Sequence, residues 1–156
     1  MKNKIEFIIA QFNAVVGDID GNYKRIIDIV DSNRELNATK VFIFPELALC
    51  GYSPEDLLFR EDFANKIKNS IFKIKEHIKS NEYLIIGAPR YSDDCTKVWN
   101  SAFIINNKKI IKTYDKQLLP NYGVFDEKRY FEKGKKNTSI EIEGNKIGIL
   151  ICEDSW

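Results

Sequence analysis

A cysteine near the end of the sequence lies between an apolar run and two acids. The stretch I-L-I-C-E-D-S-W covers residues 149–156 and places Cys152 directly before Glu153 and Asp154. A thiol attacks a carbonyl or nitrile carbon only when its pKa is lowered or a base lies beside it. Because the adjacent acids disfavour a thiolate, a nucleophilic Cys152 requires a separate cation or base. A buried structural cysteine is the alternative interpretation.

Two upstream stretches could supply those groups. In F-P-E-L-A-L-C-G-Y (44–52), Glu46 follows a predicted strand and a proline, where a partly buried carboxylate can act as a general base. In Y-D-K-Q-L-L-P-N-Y-G-V-F-D-E-K-R-Y-F (114–131), Lys116 follows another strand, and an ammonium held there can stabilise a developing oxyanion. On these grounds alone, Glu46 could also be an acid at a helix start or on the surface, and Lys116 could be a surface lysine.

The loop after Lys116 is dense in aromatic residues. These side chains predict either a pocket wall or ordinary core packing, and the pattern alone does not separate the two. They are Tyr122, Phe125, Tyr130 and Phe131.

Several common kinds of active site find no support. The single histidine, His77, is predicted on the exposed side of a helix, whereas zinc sites and Ser–His–Asp or Cys–His sites need well-placed imidazoles. Of the other cysteines, Cys50 shares the Glu46 stretch and Cys95 lies in the polar turn D-D-C-T-K. No G-x-G-x-x-G, Walker or G-x-S-x-G motif occurs, so no nucleotide cradle or serine-hydrolase elbow is predicted.

The composition is typical of a soluble globular domain. The chain has 156 residues, of which 44% are hydrophobic and 30% charged, enough for one domain with a core. The net charge of +1 gives no bulk attraction to nucleic acid or to an anionic membrane, and neither is an expected partner. No apolar run approaches the roughly 18 residues of a membrane span. Three cysteines fit free thiols in the cytoplasm.

The elements that must position these residues are read from hydrophobic periodicity. A helix is predicted over 22–37, after a loop over 13–21, and a clearer one over 60–79 with an apolar stripe. The stripe of the second helix consists of Phe63, Ile67, Ile71, Ile74 and Ile78. That of the first consists of Tyr23, Ile26, Ile27 and Val30.

Strands dominate the later sequence. They are predicted over 5–12 (buried), 41–44, 83–88, 101–105, 109–114, 139–143 and 146–152. Hairpin turns are expected at Asn106–Asn107 and Gly144–Asn145, and G-A-P-R-Y (87–91) is expected to leave its strand. Helices early and strands late predict an α/β fold with a mixed sheet. Because the last strand ends at the last residues, the sheet is expected to be truncated after the nucleophile strand.

The order of the motifs resembles the nitrilase (carbon–nitrogen hydrolase) superfamily. The acid of F-P-E-L, the lysine of Y-D-K and the cysteine of I-C-E-D follow the order of its Glu–Lys–Cys triad and span nearly the whole chain. L-P-N-Y-G-V-F-D-E-K-R-Y-F and I-C-E-D-S-W are more narrowly similar to the glutaminase domain of glutamine-dependent NAD synthetases. The resemblance implies an α-β-β-α sandwich, of which residues 1–156 would be the N-terminal part.

The resemblance also implies a role for each matching residue. Cys152 would attack the side-chain amide of glutamine and form a thioester. Glu46 would be the general base, and Lys116, with the backbone N–H after the nucleophile, would hold the oxyanion. Glu127 matches a second glutamate that orients the lysine.

The implied substrate is L-glutamine. Tyr122 would contact it, and Tyr52 and Phe125 would line the pocket. The glutaminase step would need no cofactor and no metal, while ATP, Mg and deamido-NAD would belong to a synthetase domain of the same parent chain. No S-G-G-x-D-S type of ATP loop occurs in residues 1–156. The parent protein is expected to be a homo-oligomer.

Two alternatives remain open from the sequence. The chain could come from a stand-alone amidase or carbamoylase of the same superfamily. It could also be an inactive truncated fragment that only folds or associates.

Overall fold

Seven strands and three α-helices make up the part of the chain that this computed structural model describes, residues 4–34 and 38–156. The main sheet contains β1 (Ile5–Ile9), β2 (Thr39–Ile43), β3 (Glu82–Tyr91), β4 (Val98–Asn106) and β5 (Lys109–Asp115). A second sheet contains β6 (Thr138–Ile142) and β7 (Asn145–Ile149). The helices are α1 (Ile19–Ser32), α2 (Glu61–His77) and the short α3 (Glu127–Tyr130). Two 3₁₀ helices span Glu55–Phe59 and Cys152–Ser155.

The main sheet is mixed, as predicted. Its strands lie side by side in chain order, with β1, β2 and β3 parallel and β3, β4 and β5 antiparallel. Parallel neighbours need a long connection, and α1 and α2 lie in the two parallel crossovers. The antiparallel strands need only short turns.

Helices α1 and α2 cover one face of the main sheet. The predicted stripe of α2 is confirmed: Phe63, Ile67, Ile71 and Ile74 are buried on one side of the helix, and Ile78 follows at its end. They pack with Ile26 and Val30 of α1 against alternate strand residues such as Phe42, Leu84 and Ile86.

The opposite face of the main sheet is covered by the β6–β7 hairpin. Residues that alternate with the first set, such as Val41, Ile85 and Ile104, pack against Ile140 and Ile149 in a second cluster. The helices, the main sheet and this hairpin therefore form three successive layers of the predicted sandwich. The carboxyl ends of β2, β5 and β7 lead into the stretches singled out above.

Three predicted boundaries at the start of the chain are wrong. The first strand ends at Ile9 rather than at residue 12, and it is a partly exposed edge strand, with Phe7 48% and Ile9 67% exposed. The first helix begins at Ile19 because the Asp18 carboxylate accepts the Gly21 N–H and caps it. Within the described residues α1 ends at Ser32, and residues 35–37 of the predicted helix lie outside them.

The hairpin turns lie one residue away from their predicted positions. They are formed by Asn107–Lys108 and Glu143–Gly144, and all four residues have positive φ angles. A two-residue turn with φ positive at both positions matches the twist of the strands, which explains why the chain reverses there. The prediction for G-A-P-R-Y is also wrong, because residues 87–91 continue β3.

The last strand ends earlier than predicted. β7 stops at Ile149, and Cys152 begins a 3₁₀ helix instead of completing the strand.

His77 is the last residue of α2, and its imidazole lies 2.8 Å from the Asp31 carboxylate of α1. Within residues 4–34 and 38–156, no helix is both long and apolar enough to cross a membrane, and no group of three or more His, Cys, Asp or Glu could hold a metal ion.

Candidate active site

Glu46 lies in a tight turn that follows β2. The turn is closed by hydrogen bonds from the Ala48 N–H to the Pro45 oxygen and from the Gly51 N–H to the Leu47 oxygen. It lies directly against β3, where a Cβ added at Gly87 would collide with the Leu47 nitrogen. Only glycine allows this close approach. The packing fixes the direction in which the Glu46 carboxylate points into the fold.

Lys116 is fully buried at the end of β5. Its ammonium donates to Oε1 of Glu46 at 2.6 Å and to Oε1 of Glu127 at 2.9 Å. Burial lowers the pKa of Lys116, but the hydrogen bonds and charges of the two carboxylates outweigh it and raise the pKa above its ordinary value. The side chain therefore remains an ammonium. The alternative of a surface lysine is excluded.

Glu127 is brought to Lys116 by the short helix α3. Its Oε1 also accepts the Tyr52 hydroxyl at 3.0 Å, and the residue is only 3% exposed. Burial, with the nearby Glu46 charge, raises the pKa of Glu127 despite the ammonium. Its Oε2 is buried and has no hydrogen-bond partner among the residues that the structure describes. Glu127 is thus committed to Lys116 and Tyr52.

Asn100 of β4 joins the same group, and the sequence motifs did not predict it. Its amide Nδ2 donates to Oε1 of Glu46 at 2.7 Å, and its backbone oxygen accepts the Lys116 N–H at 2.8 Å. A polar residue at an inward-facing strand position was the available signal, but many satisfied core asparagines share it. Glu46, Asn100, Lys116 and Glu127 are called the buried cluster below.

Cys152 lies beside the buried cluster, at the start of the 3₁₀ helix that we call the nucleophile turn (Cys152–Ser155). Its side chain is exposed and its φ angle is +46°, in the left-handed region. Burial of part of the thiol raises its pKa, the charge and hydrogen bonding of Glu46 raise it further, and the Lys116 ammonium lowers it. The net shift is upward. The thiol is therefore protonated at neutral pH and requires an adjacent base.

This balance corrects one expectation. From the sequence, Glu153 and Asp154 were expected to be the negative charges that disfavour the Cys152 thiolate. In the structure the leading negative charge on the thiol is Glu46. The carboxylate of Asp154, two residues after Cys152, instead accepts the main-chain N–H groups of Ile151 and Leu118.

The predicted pocket residues form an aromatic rim near the nucleophile turn. The Tyr122 hydroxyl donates to the Glu153 carboxylate at 3.0 Å. The Phe125 ring makes edge contacts with Tyr122 and Tyr52, at centroid distances of 5.6 and 6.3 Å. A cleft of about 610 Å³ runs past Tyr122 and Glu153 along the 117–122 segment. Glu153 is a further polar group that the motifs did not single out.

The other aromatic residues and cysteines lie apart from this group. Phe131 is part of the core, and Tyr130 packs on Phe59. Cys50 is buried, and burial raises the pKa of its thiol well above the usual range. Cys95 is exposed, with the Lys68 ammonium 3.1 Å from its sulfur. Cys152 has both a carboxylate and an ammonium acting on its thiol, those of Glu46 and Lys116.

Comparison with known protein families agrees with this geometry. The model of the carbon–nitrogen hydrolase family matches residues 9–156. The chain belongs to the carbon–nitrogen hydrolase family.

Relatives within the carbon–nitrogen hydrolases carry a more specific name. The chain is 37% identical over 153 residues to a glutamine-dependent NAD(+) synthetase of Aquifex aeolicus, covering 97% of the chain and 26% of that protein. It is 36% identical over 148 residues to that of Acinetobacter baylyi, covering 95% and 27%. It also matches the solved glutamine-dependent NAD+ synthetase of Acinetobacter baumannii with a TM-score of 0.89 and 36% identity, covering 96% of the chain and 28% of that structure. The chain thus spans about a quarter of the length of these relatives.

The arrangement in this carbon–nitrogen hydrolase combines three chemical capacities. A protonated thiol is exposed, a carboxylate acts on it from close by, and a buried ammonium pairs with that carboxylate. These are the components of acyl transfer through a covalent thioester. The residue roles implied by the resemblance remain predictions until they are tested by substitution.

Proposed function

We propose that residues 1–156 are the N-terminal part of the glutaminase domain of a glutamine-dependent NAD synthetase, which releases ammonia from L-glutamine through a thioester on Cys152. The observation that carries the proposal is the pairing of Lys116 with both Glu46 and Glu127 beside that thiol. The identities of 36% and 37% to proteins named for this activity support it.

In the first step Glu46 accepts the proton of the Cys152 thiol, and the sulfur attacks the amide carbon of the glutamine side chain. Glu46 is suited to this role because Lys116 and Asn100 both bond to its Oε1, which leaves Oε2 for the proton. The raised pKa of the thiol means that a free thiolate is scarce, so transfer to a base is needed as the sulfur attacks.

Lys116 would stabilise the oxyanion of the tetrahedral intermediate. An ammonium has three N–H groups, and Glu46 and Glu127 occupy two of them, so one N–H is left for the substrate oxygen. The backbone N–H of Glu153 would be the second donor. Because Lys116 is buried, its charge is poorly screened, which strengthens its effect on the oxyanion.

The remaining steps return the proton and consume one water molecule. Glu46 passes its proton to the amide nitrogen, the carbon–nitrogen bond breaks, and ammonia leaves. Glu46 then takes a proton from water, which attacks the thioester carbon. The carbon–sulfur bond breaks, the sulfur regains a proton, and glutamate is released.

The aromatic rim would bind the amino-acid part of glutamine. The Tyr122 hydroxyl and the Glu153 carboxylate form a polar pair, and a carboxylate at this place suits the α-ammonium of an amino acid. Phe125 and Tyr52 would form the apolar wall for the methylene groups. Such a rim would favour glutamine over a simple aliphatic amide.

The parent protein would use the released ammonia to amidate deamido-NAD. ATP and Mg would bind with deamido-NAD in a synthetase domain outside residues 1–156, and the glutaminase step would need no cofactor. Assembly of the parent into a homo-oligomer stays a prediction.

The test measures glutamate release from L-glutamine by the full-length gene product and its Cys152→Ala variant. Loss of the nucleophile should lower the rate on the order of 10⁴-fold or more. Cys95→Ser is the matched control and should keep the parental rate. Acid-quenched wild-type protein should carry a glutamyl adduct on the Cys152 peptide. Unchanged glutamate release in Cys152→Ala would sink the assignment.

Two further assays separate the proposed activity from that of a stand-alone amidase. Glutamine should be hydrolysed much faster than propionamide, because the simple amide lacks the groups that Tyr122 and Glu153 would bind. NAD formation from deamido-NAD, ATP and Mg should stop in Cys152→Ala with glutamine and recover with an ammonium salt. Equal rates on both amides, with no NAD formed, would favour the stand-alone amidase.

A further inference from the structure

The acid two residues after the nucleophile makes an unusual number of hydrogen bonds. Oδ1 of Asp154 accepts the backbone N–H groups of Gln117 at 3.1 Å and Leu118 at 2.8 Å. Its Oδ2 accepts the Tyr114 hydroxyl at 2.7 Å and the Ile151 N–H at 3.2 Å. The carboxylate therefore bonds to two segments of the chain: Oδ1 accepts only from the segment around Lys116, and Oδ2 accepts from that segment and from Ile151.

The four donors lie in places that matter for the candidate site. Tyr114 is two residues before Lys116, and Gln117 and Leu118 follow it directly, so Asp154 bonds to a side chain before the lysine and to the main chain after it. Ile151 directly precedes Cys152. One carboxylate thus connects the segment that carries the ammonium to the turn that carries the thiol.

The nucleophile turn needs such support. Cys152 has a φ angle of +46°, which is unfavourable for a side chain with a Cβ and persists only where neighbouring contacts enforce it. The turn is also short and exposed, so burial contributes little to holding it in place. Its internal hydrogen bond, from the Ser155 hydroxyl to the Cys152 oxygen, does not reach the rest of the fold.

We infer that Asp154 is a positioning residue that holds the Cys152 thiol in line with Glu46 and Lys116. The inference rests on the proposed glutaminase function for its effect on turnover, whereas its effect on the thiol itself is independent of that function. Asp154 acts through the main chain of the nucleophile turn. It touches no reacting atom.

The inference predicts what happens when the turn is released. The charged and titratable groups that act on the Cys152 thiol are Glu46, Lys116 and Glu127, with Tyr52 and Tyr122 nearby. Burial and Glu46 together hold the pKa of the thiol above its ordinary value. A released thiol would enter water, so its pKa would fall and its alkylation at neutral pH would accelerate. Hydrolysis would slow, because the base and the oxyanion donor would be out of line.

The experiment compares wild-type full-length protein with Asp154→Ala. Glutaminase kcat should fall about 100-fold, the effect expected of a small misplacement, with little change in KM. In parallel, iodoacetamide labelling of each cysteine peptide is followed by mass spectrometry as a function of pH. The midpoint of Cys152 labelling should move to lower pH in Asp154→Ala, while the buried Cys50 stays protected.

Protection of Cys50 separates positioning from general loss of structure. Tyr114→Phe removes one of the four donors and should give the same changes in weaker form, which keeps a milder variant available if Asp154→Ala does not fold. The surface acid variant Glu141→Gln should match wild type. In a variant that keeps Cys50 protected, a kcat within about twofold of wild type or an unmoved Cys152 midpoint would overturn the inference. Exposure of Cys50 in both variants would overturn it as well, because Asp154 would then support the fold in general rather than the thiol. If wild type releases no glutamate, the proposed function fails, and the labelling still decides the role of Asp154.

Discussion

The two halves of the candidate site are supported in different ways. In the buried cluster, Lys116 and Glu127 are 1% and 3% exposed, and side chains bond directly to one another. In the nucleophile turn, Cys152 is exposed, and the Asp154 carboxylate holds the turn by accepting three main-chain N–H groups and the Tyr114 hydroxyl. One half is stabilised by charge pairing away from water and the other by a tether.

The difference indicates how each half responds to mutation. Removing one member of a buried ion pair leaves an uncompensated charge, which destabilises the whole fold. Removing a side chain from an exposed turn leaves the core intact. Substitutions in the buried cluster should therefore lower both stability and activity. Substitutions in the nucleophile turn should lower activity with a smaller loss of stability than those in the buried cluster.

The largest expected effect is that of Lys116→Met. The apolar side chain leaves Glu46 and Glu127 without their ammonium, and breaking such a buried pair lowers the free energy of unfolding by about 3 kcal/mol or more. Urea denaturation followed by circular dichroism measures it. The deficit should shrink as the pH is lowered, because protonation neutralises the two unpaired carboxylates.

A matched control makes that result specific to the buried cluster. Lys109→Met removes an exposed ammonium from the other end of β5 and should stay within about 0.5 kcal/mol of wild type. If Lys116→Met were as stable as Lys109→Met, the contrast between the two halves would be broken. The Lys116 pairs would then contribute to chemistry but not to the fold.

Glu46→Gln sharpens the contrast between the two halves, because Glu46 belongs to the buried cluster and also acts on the Cys152 thiol. Hydrolysis should fall about 10²- to 10⁴-fold through loss of the general base. The glutamine side chain introduced at position 46 is uncharged. Because the Glu46 carboxylate raises the pKa of the Cys152 thiol, that pKa should fall in the variant. Labelling of Cys152 by iodoacetamide at neutral pH should accelerate while hydrolysis is lost. Asp93→Asn, an exposed acid, should change neither rate.

A slower labelling of Cys152 in Glu46→Gln would contradict this account of the thiol. It would mean that Glu46 activates the sulfur even in the absence of substrate. The thiol would then depend on a lowered pKa rather than on proton transfer during attack.

The sequence predicted three of the four members of the buried cluster and missed the fourth, Asn100. Glu46, Lys116 and Glu127 stand in recognisable motifs at strand or loop ends, and the structure brings them within hydrogen-bond distance. Asn100 lies inside a strand, where its amide can be assigned to Glu46 only once the register of β4 is known. Long-range partners of this kind are fixed by packing, and no local pattern encodes them.

The fold shows the same limit at its turns. The stripe of α2 predicted the helix to within two residues at each end, because a long amphipathic pattern has few alternatives. The predicted positions of both hairpin turns were wrong by one residue, since strand register decides which two residues take positive φ angles. The end of β7 was also wrong. Ile149 and Ile151 continue an apolar run into the nucleophile turn, although the strand has already ended.

The smallest expected effect concerns the tether of the nucleophile turn. Tyr114 is fully buried, and burial together with its hydrogen bond to Asp154 raises the pKa of Tyr114 to about 12. Tyr114→Phe removes a hydrogen bond to a charged acceptor and should lower the free energy of unfolding by about 1.5 kcal/mol at neutral pH. Urea midpoints of wild type and variant measure the difference.

The sign of the pH dependence follows from the raised pKa. The unfolded chain releases the tyrosine proton near its ordinary pKa of about 10, while the folded chain retains it to about pH 12, so wild type loses this contribution between those values. Phenylalanine has no proton to lose, and the difference between wild type and Tyr114→Phe should therefore shrink as the pH rises through this range. A difference that stays constant would show that the tether contributes through packing of the ring. The two halves of the site would then share one mode of support, burial, and the contrast between them would be one of degree.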